Sequence, residues 1–223
     1  MNLFKNALAA ASLAAMMAPA LAAGPIVLDF EGVGNNANVA EFYNGGTDSQ
    51  GHSGVNYGIS FGTNGLGLID ADNGGSGNFA NEPSSMTALY FLAGSAVLNY
   101  SAGFDTGFSF FYTSSAAATV DVYSGVDKTG TKLATISLAA NYNTNCSGDP
   151  TGQYCHWDPV GVTFNGIAKS IDFGGAANGV AFDNVTFGSA TPVPGIPEPS
   201  TYAMLALGLA GVGFVARRRK TAV

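Results

Sequence analysis

Between residues 24 and 196 the chain never sustains a helical period. Short runs rich in Val, Ile, Phe, Tyr and Thr recur instead, each ended by Gly, Asn, Asp or Ser. Ten such runs are read as strands: 26–31, 57–62, 87–92, 96–100, 106–113, 119–124, 132–138, 160–165, 170–173 and 180–187. Ala134, Ile136 and Leu138 alternate with polar positions, as do Val160, Val162 and Phe164. One apolar and one solvated face per strand indicate antiparallel sheets. About ten strands in one domain predict an all-β antiparallel β-sandwich, jelly-roll-like in type. The long polar connection 32–56 is expected to form an irregular lobe or another strand pair.

The last run breaks the rule of two. Val180 and Phe182 share one parity, whereas Val185 and Phe187 share the other. A strict strand cannot bury all four on one face, so the phase has to slip at Asp183-Asn184. A β-bulge there restores the pattern and re-aims the Asp183 carboxylate.

Composition enters where disorder has to be weighed. Glycine is abundant, with 31 in the chain, but 22 aromatic residues fall in 24–196, enough to build a packed core. Fourteen Asp or Glu against Lys128, Lys132 and Lys169 leave this segment at −11. Nucleic acid is therefore not an expected partner, because no basic patch can neutralise phosphates.

The two ends carry addresses rather than fold. Lys5, the uncharged run 7–17 and Ala20-Leu21-Ala22 read as a signal peptide, 1–22, cleaved by signal peptidase after Ala22 or, second, Ala23. The sandwich domain is assigned 23–189 and a Pro-rich linker 190–200. A short apolar transmembrane helix follows over 201–216, then a basic cytoplasmic tail, 217–223. The apolar run 202–216 spans roughly 22 Å as a helix, and Arg217, Arg218, Arg219 and Lys220 hold its end in the cytoplasm. Pro197-Glu198-Pro199, that helix and the basic cluster together resemble the PEP-CTERM sorting signal. The resemblance implies processing by an exosortase, a membrane protease-transpeptidase, and export alongside exopolysaccharide. The expected localisation is an inner-membrane-anchored intermediate, then the cell surface or the exterior, including biofilm.

Cys146 and Cys155 lie nine positions apart in a loop-like stretch. In an oxidising exterior a disulfide is the default; the alternative pairs Cys155 with His156 as nucleophile and base. Phe30-Glu31-Gly32 and Phe182-Asp183-Asn184-Val185 resemble the terminal strands of carbohydrate-binding jelly rolls that hold a structural calcium. That resemblance implies Glu31 and Asp183 as Ca²⁺ ligands; otherwise both face solvent or accept turn hydrogen bonds. The run 70–77 lacks the fifth-position and twelfth-position groups of an EF-hand and is read as a flexible loop without an ion.

Three functions are weighed. A structural or adhesive surface protein needs only a stable sandwich and an export route. A glycan-binding module needs aromatics that stack on sugar rings: Trp157 and Tyr154 lead, with Tyr142, Tyr43, Asn44 and Tyr57 behind them. A polysaccharide-active enzyme needs a converging acid and base, and no pair stands out. The expectation is a non-enzymatic protein without catalytic residues, its one cofactor being the structural Ca²⁺.

Overall fold

All ten expected runs form strands, joined by an eleventh, in the computed structural model, which describes residues 25–144, 146 and 152–194. The expected signal peptide, the Pro-Glu-Pro tripeptide, the expected C-terminal helix and the basic tail lie outside the described residues. The strands are β1 (Val27–Leu28), β2 (Ile59–Phe61), β3 (Leu66–Ile69), β4 (Thr87–Tyr90), β5 (Ala96–Phe104) and β6 (Gly107–Ser114). They continue with β7 (Ala118–Tyr123), β8 (Lys132–Leu138), β9 (Asp158–Thr163), β10 (Ala168–Phe173) and β11 (Val180–Phe187). One sheet runs β3-β4-β11-β6-β9 with β1 also on β11, and the other runs β2-β5-β10-β7-β8. Neighbouring strands are antiparallel, and the two sheets enclose one core.

That core is phenylalanine-rich. Phe110, Phe173 and Phe182 meet edge-on or tilted across the sheets, with centroids 4.8–5.8 Å apart. These separations suit the quadrupole of aromatic rings better than a face-to-face stack. The slip expected in the last run is present. Asp183 pairs with Phe111 but Thr186 with Ser109, so β11 carries one residue more than β6 over that step. Asn184 takes up the extra length at φ +47°, a left-handed conformation that Asn adopts more readily than most residues. As a result Val180, Phe182, Val185 and Phe187 all reach the core.

β3 is the strand the sequence hides. Gly67 interrupts its apolar run and reads as a break, yet a side chain there would sit 2.5 Å from Val33 Cγ1. The glycine lets the 32–56 lobe lie flat on the strand. That lobe is irregular, meeting β3 at an isolated bridge, Asn38 to Leu66, and through hydrogen bonds from Asn36 N to Gly67 O and from Ile69 N to Asn35 Oδ1. Val33, Ala37, Val39, Phe42 and Tyr43 bury its apolar side. The run 70–77 holds a short 3-10 turn. Buried Asp70 accepts from Ala71 N at 2.8 Å and caps a 3-10 turn, Ala71–Asn73, which Gly74 ends at φ +85°.

Asp48 knots the lobe. Its buried carboxylate accepts from Gly34 N, Gln50 N, His52 N and His52 Nδ1 at 2.8–2.9 Å. Burial alone would raise its pKa; the four hydrogen bonds win and lower it to about 2. Its contribution to stability is thus complete above the ordinary value of 3.8 and is lost as pH falls through about 2. Asp48→Ala is expected to cost about 1–3 kcal/mol in urea melts at pH 7. The deficit should shrink steadily between pH 4 and pH 2; a deficit constant over that range would show that the carboxylate is not the source.

Candidate functional site

The sandwich places its most unusual chemistry where two strands share one side of β11. β4 pairs with Ala181 and Phe182, β1 pairs with Val185 and Thr186, and the gap between them falls at Asp183-Asn184. Glu31, just past β1, and Ser84, just before β4, close over that gap. Asp183 Oδ2 accepts from Ser84 N at 2.7 Å, and Asp183 Oδ1 accepts from Asn184 N at 2.7 Å. Glu31 Oε1 accepts from Met86 N, Thr87 N and Ser84 Oγ at 2.8–3.0 Å. The two carboxylates named by the sequence are therefore brought together, through a serine that nothing in the sequence singles out.

The oxygen balance around Ser84 is uneven. Its hydroxyl has one proton to donate, yet Asp29 O, Glu31 Oε1 and Thr87 O all lie within 3.2 Å of Oγ. Nearby, Thr87 Oγ1 and both side-chain atoms of Asn184 are buried without a hydrogen-bond partner. Desolvation raises Glu31, with Asp29 adding to it against the opposing hydrogen bonds. Desolvation likewise raises fully buried Asp183 well above its ordinary value, and Glu31 adds to the shift. The oxygens of this set, Asp183 and Glu31 carboxylates with carbonyl and hydroxyl groups beside them, are of the kind a hard cation takes six to eight of. Among the described residues no three His, Cys, Asp or Glu side chains group as metal ligands. Carbonyl and hydroxyl oxygens would have to complete any shell.

The second arrangement lies on the outer face of the same sheet. Phe79, Ala88, Tyr90 and Ala181 form a small apolar cluster against which Leu66, Leu68, Tyr154 and Trp157 pack. Beside it runs a shallow groove with Tyr154, Phe79 and Tyr90 on its walls and the amides Asn78 and Asn178 among its lining. Trp157 stands behind the groove. Its ring meets Phe79 edge-on at 6.0 Å, and its indole N–H donates to Ala80 O at 3.1 Å. Tyr142 tilts against Tyr154 with centroids 5.1 Å apart.

The Cys146–Cys155 disulfide fastens this corner, with Cα atoms 5.4 Å apart. It removes the Cys155 thiol required by the nucleophile alternative, and His156 Nε2 instead faces Asp158 Oδ1 at 3.0 Å. Tyr43 is withdrawn from the glycan candidates. It is buried, its hydroxyl accepts from Phe30 N at 2.8 Å, and it stacks beneath Tyr57. Asn44 donates to Glu41 Oε2 on the lobe. The groove amides were not legible in the sequence, because they come from separate loops that only the fold joins.

Comparison with known proteins adds an address. Residues 195–220 match the PEP-CTERM protein-sorting motif, the mark of an exported protein that passes through a membrane-anchored intermediate. Among the described residues no helix is long and apolar enough to cross a membrane. No curated protein matches the chain. Among solved structures, the chain is similar to a family 6 carbohydrate-binding module whose binding sub-sites were dissected. Identity there is 17%, over 57% of this chain and 85% of that one, with a TM-score of 0.36. It is similar also to a carbohydrate-binding module from Cellvibrio mixtus lichenase 5A, solved with cellotriose (12%, 57% and 88%, 0.35). A third is a family 43 arabinoxylan arabinofuranohydrolase from Bacillus subtilis, solved with cellotetraose (13%, 63% and 30%, 0.37). At these scores the likeness carries no argument about a ligand.

The raised carboxylates have a sign that can be measured. A buried acid with a raised pKa binds its proton more tightly folded than unfolded, so its charged form opposes folding. In metal-free buffer, stability should be highest near pH 4 and decline as pH rises through the folded-state values of Glu31 and Asp183. Asp183→Asn should flatten most of that slope in denaturant titrations. An unchanged slope would place the responsible protons elsewhere.

Proposed function

We propose that this chain is an exported cell-surface or matrix protein, delivered by exosortase processing of its C-terminal signal, whose sandwich adheres to exopolysaccharide in a biofilm setting. The match over residues 195–220 carries the delivery half of this reading. An export reporter fused to residues 191–223 is expected to be processed only in cells that contain the exosortase. Identical processing in cells lacking it would reduce the segment to an ordinary anchor.

The adhesive half rests on the groove beside Tyr154. Half-buried Tyr154 supplies the apolar face of a sugar ring with a stacking partner, and exposed Asn78 and Asn178 can exchange hydrogen bonds with hydroxyls. Trp157 serves there as the support that fixes Phe79. The disulfide pre-organises the corner, lowering the entropy lost on binding. Tyr154→Ala should weaken retention on exopolysaccharide about five- to tenfold, the worth of one aromatic contact, with the fold intact by circular dichroism. Equal retention would leave a purely structural role. Release of soluble sugar from the polymer would instead establish an enzyme. A binding role agrees with how the acids are used, because Asp48, Asp121, Asp158 and Asp183 each hold neighbouring loops or strands.

Calcium belongs to this proposal as a structural ion. Glu31 and Asp183 would hold it, with Asp29 O and Thr87 O among the neutral oxygens, and its charge would offset the buried Asp183 and half-buried Glu31 carboxylates. In the pH titration described above, saturating calcium should then remove the decline toward neutral pH. At a hundredfold excess over Kd the gain is about 2.7 kcal/mol. A decline unaltered by calcium would rule the ion out.

A further inference from the structure

The chain does not leave the sandwich at the end of β11. Gly188 N donates to Gly107 O at 2.9 Å, Ser109 Oγ donates to Ser189 O at 2.9 Å, and Val193 N donates to Thr186 Oγ1 at 3.2 Å. Between these points Ser189 and Thr191 bond to each other, and Pro192 is buried. Residues 188–193 therefore form a strap lying back over β6 and β9.

Two strand glycines make room for it. A Cβ on Gly161 would stand 2.1 Å from Ala190 O, and one on Gly107 would stand 2.7 Å from Ala190 N. Neither position has a left-handed backbone that demands glycine. A glycine inside a strand weakens it and often marks close approach of another backbone. Here that backbone is the strap, so the track is built into the sheet rather than left over from the end of the domain.

We infer that this strap gates proteolytic processing: the membrane protease can engage the chain only when residues 188–193 peel from the Gly107–Gly161 track. The inference rests on the sorting reading given above. Pro197 stands four positions beyond Val193, so even a fully extended chain separates them by only ~14 Å. A protease cleft grips its substrate in extended form over several residues, and the residues four to nine positions upstream of Pro197 are those the sheet holds. Docked and peeled forms interconvert, and processing draws on the peeled population.

The experiment uses the full-length precursor and two variants. Gly161→Ala drives a methyl group into Ala190 O, and Ser109→Ala removes one strap bond without adding bulk. Two quantities are read for each: hydrogen exchange at the Gly188 and Val193 amides, and the initial processing rate in exosortase-bearing cells. Exchange at Phe182, inside β11, reports whether the sandwich is intact. Both variants should speed strap exchange and processing about tenfold, the population change expected when one or two contacts are lost, with Phe182 unaffected. Faster strap exchange without faster processing would overturn the gate. So would a wild-type Val193 amide that exchanges at the rate of a free chain. Cells lacking the exosortase separate the two claims. Undiminished processing there sinks the sorting reading itself and the gate with it, whereas exosortase-dependent processing that ignores both variants sinks the gate alone.

Discussion

β11 has β6 along one side and β4 then β1 along the other, and the hand-over between those two strands is the constraint on which the sandwich depends. Backbone groups at a hand-over lose their ladder partners, and buried amides without partners are costly. The protein fills the gap with side-chain oxygens. Asp183 receives the Ser84 amide and its own neighbour's amide, while Glu31 receives those of Met86 and Thr87. Four backbone donors are satisfied, and the cost is a fully buried Asp183 carboxylate beside the half-buried one of Glu31. The one-residue bulge is part of the same solution, because it turns Asp183 toward the gap while keeping Val185 and Phe187 in the core.

Much of this was legible in the chain because it depends on local pattern. The strand runs, the antiparallel two-sheet arrangement and the phase slip at Asp183-Asn184 follow from which faces must be apolar. The cysteine pair follows from short spacing in an exported segment. What stayed hidden is non-local or is written in glycine. Ser84 meets Glu31 across 53 positions and Asp183 across 99, and no periodicity encodes such a meeting. β3 was masked by Gly67, whose missing side chain is a packing requirement of Val33 rather than a turn signal. Among the aromatics, sequence order could not separate Tyr154, on a groove wall, from Tyr43, whose hydroxyl serves a buried backbone amide. The turn within 70–77 was hidden for a related reason: Gly74 ends a capped 3-10 turn that glycine content alone does not reveal.

The position of β11 within its sheet has a mechanical meaning. A chain held at its C-terminus transmits any pull through residues 188–194 into this strand. Because β11 lies between β6 on one side and β4 and β1 on the other, load along its axis is shared as shear across several ladders at once. An edge strand such as β9, with a single paired neighbour in its sheet, would instead open one bond after another. The topology thus directs tension applied at the C-terminal end into the best-connected strand of the sheet, and the fold resists being drawn out from that end.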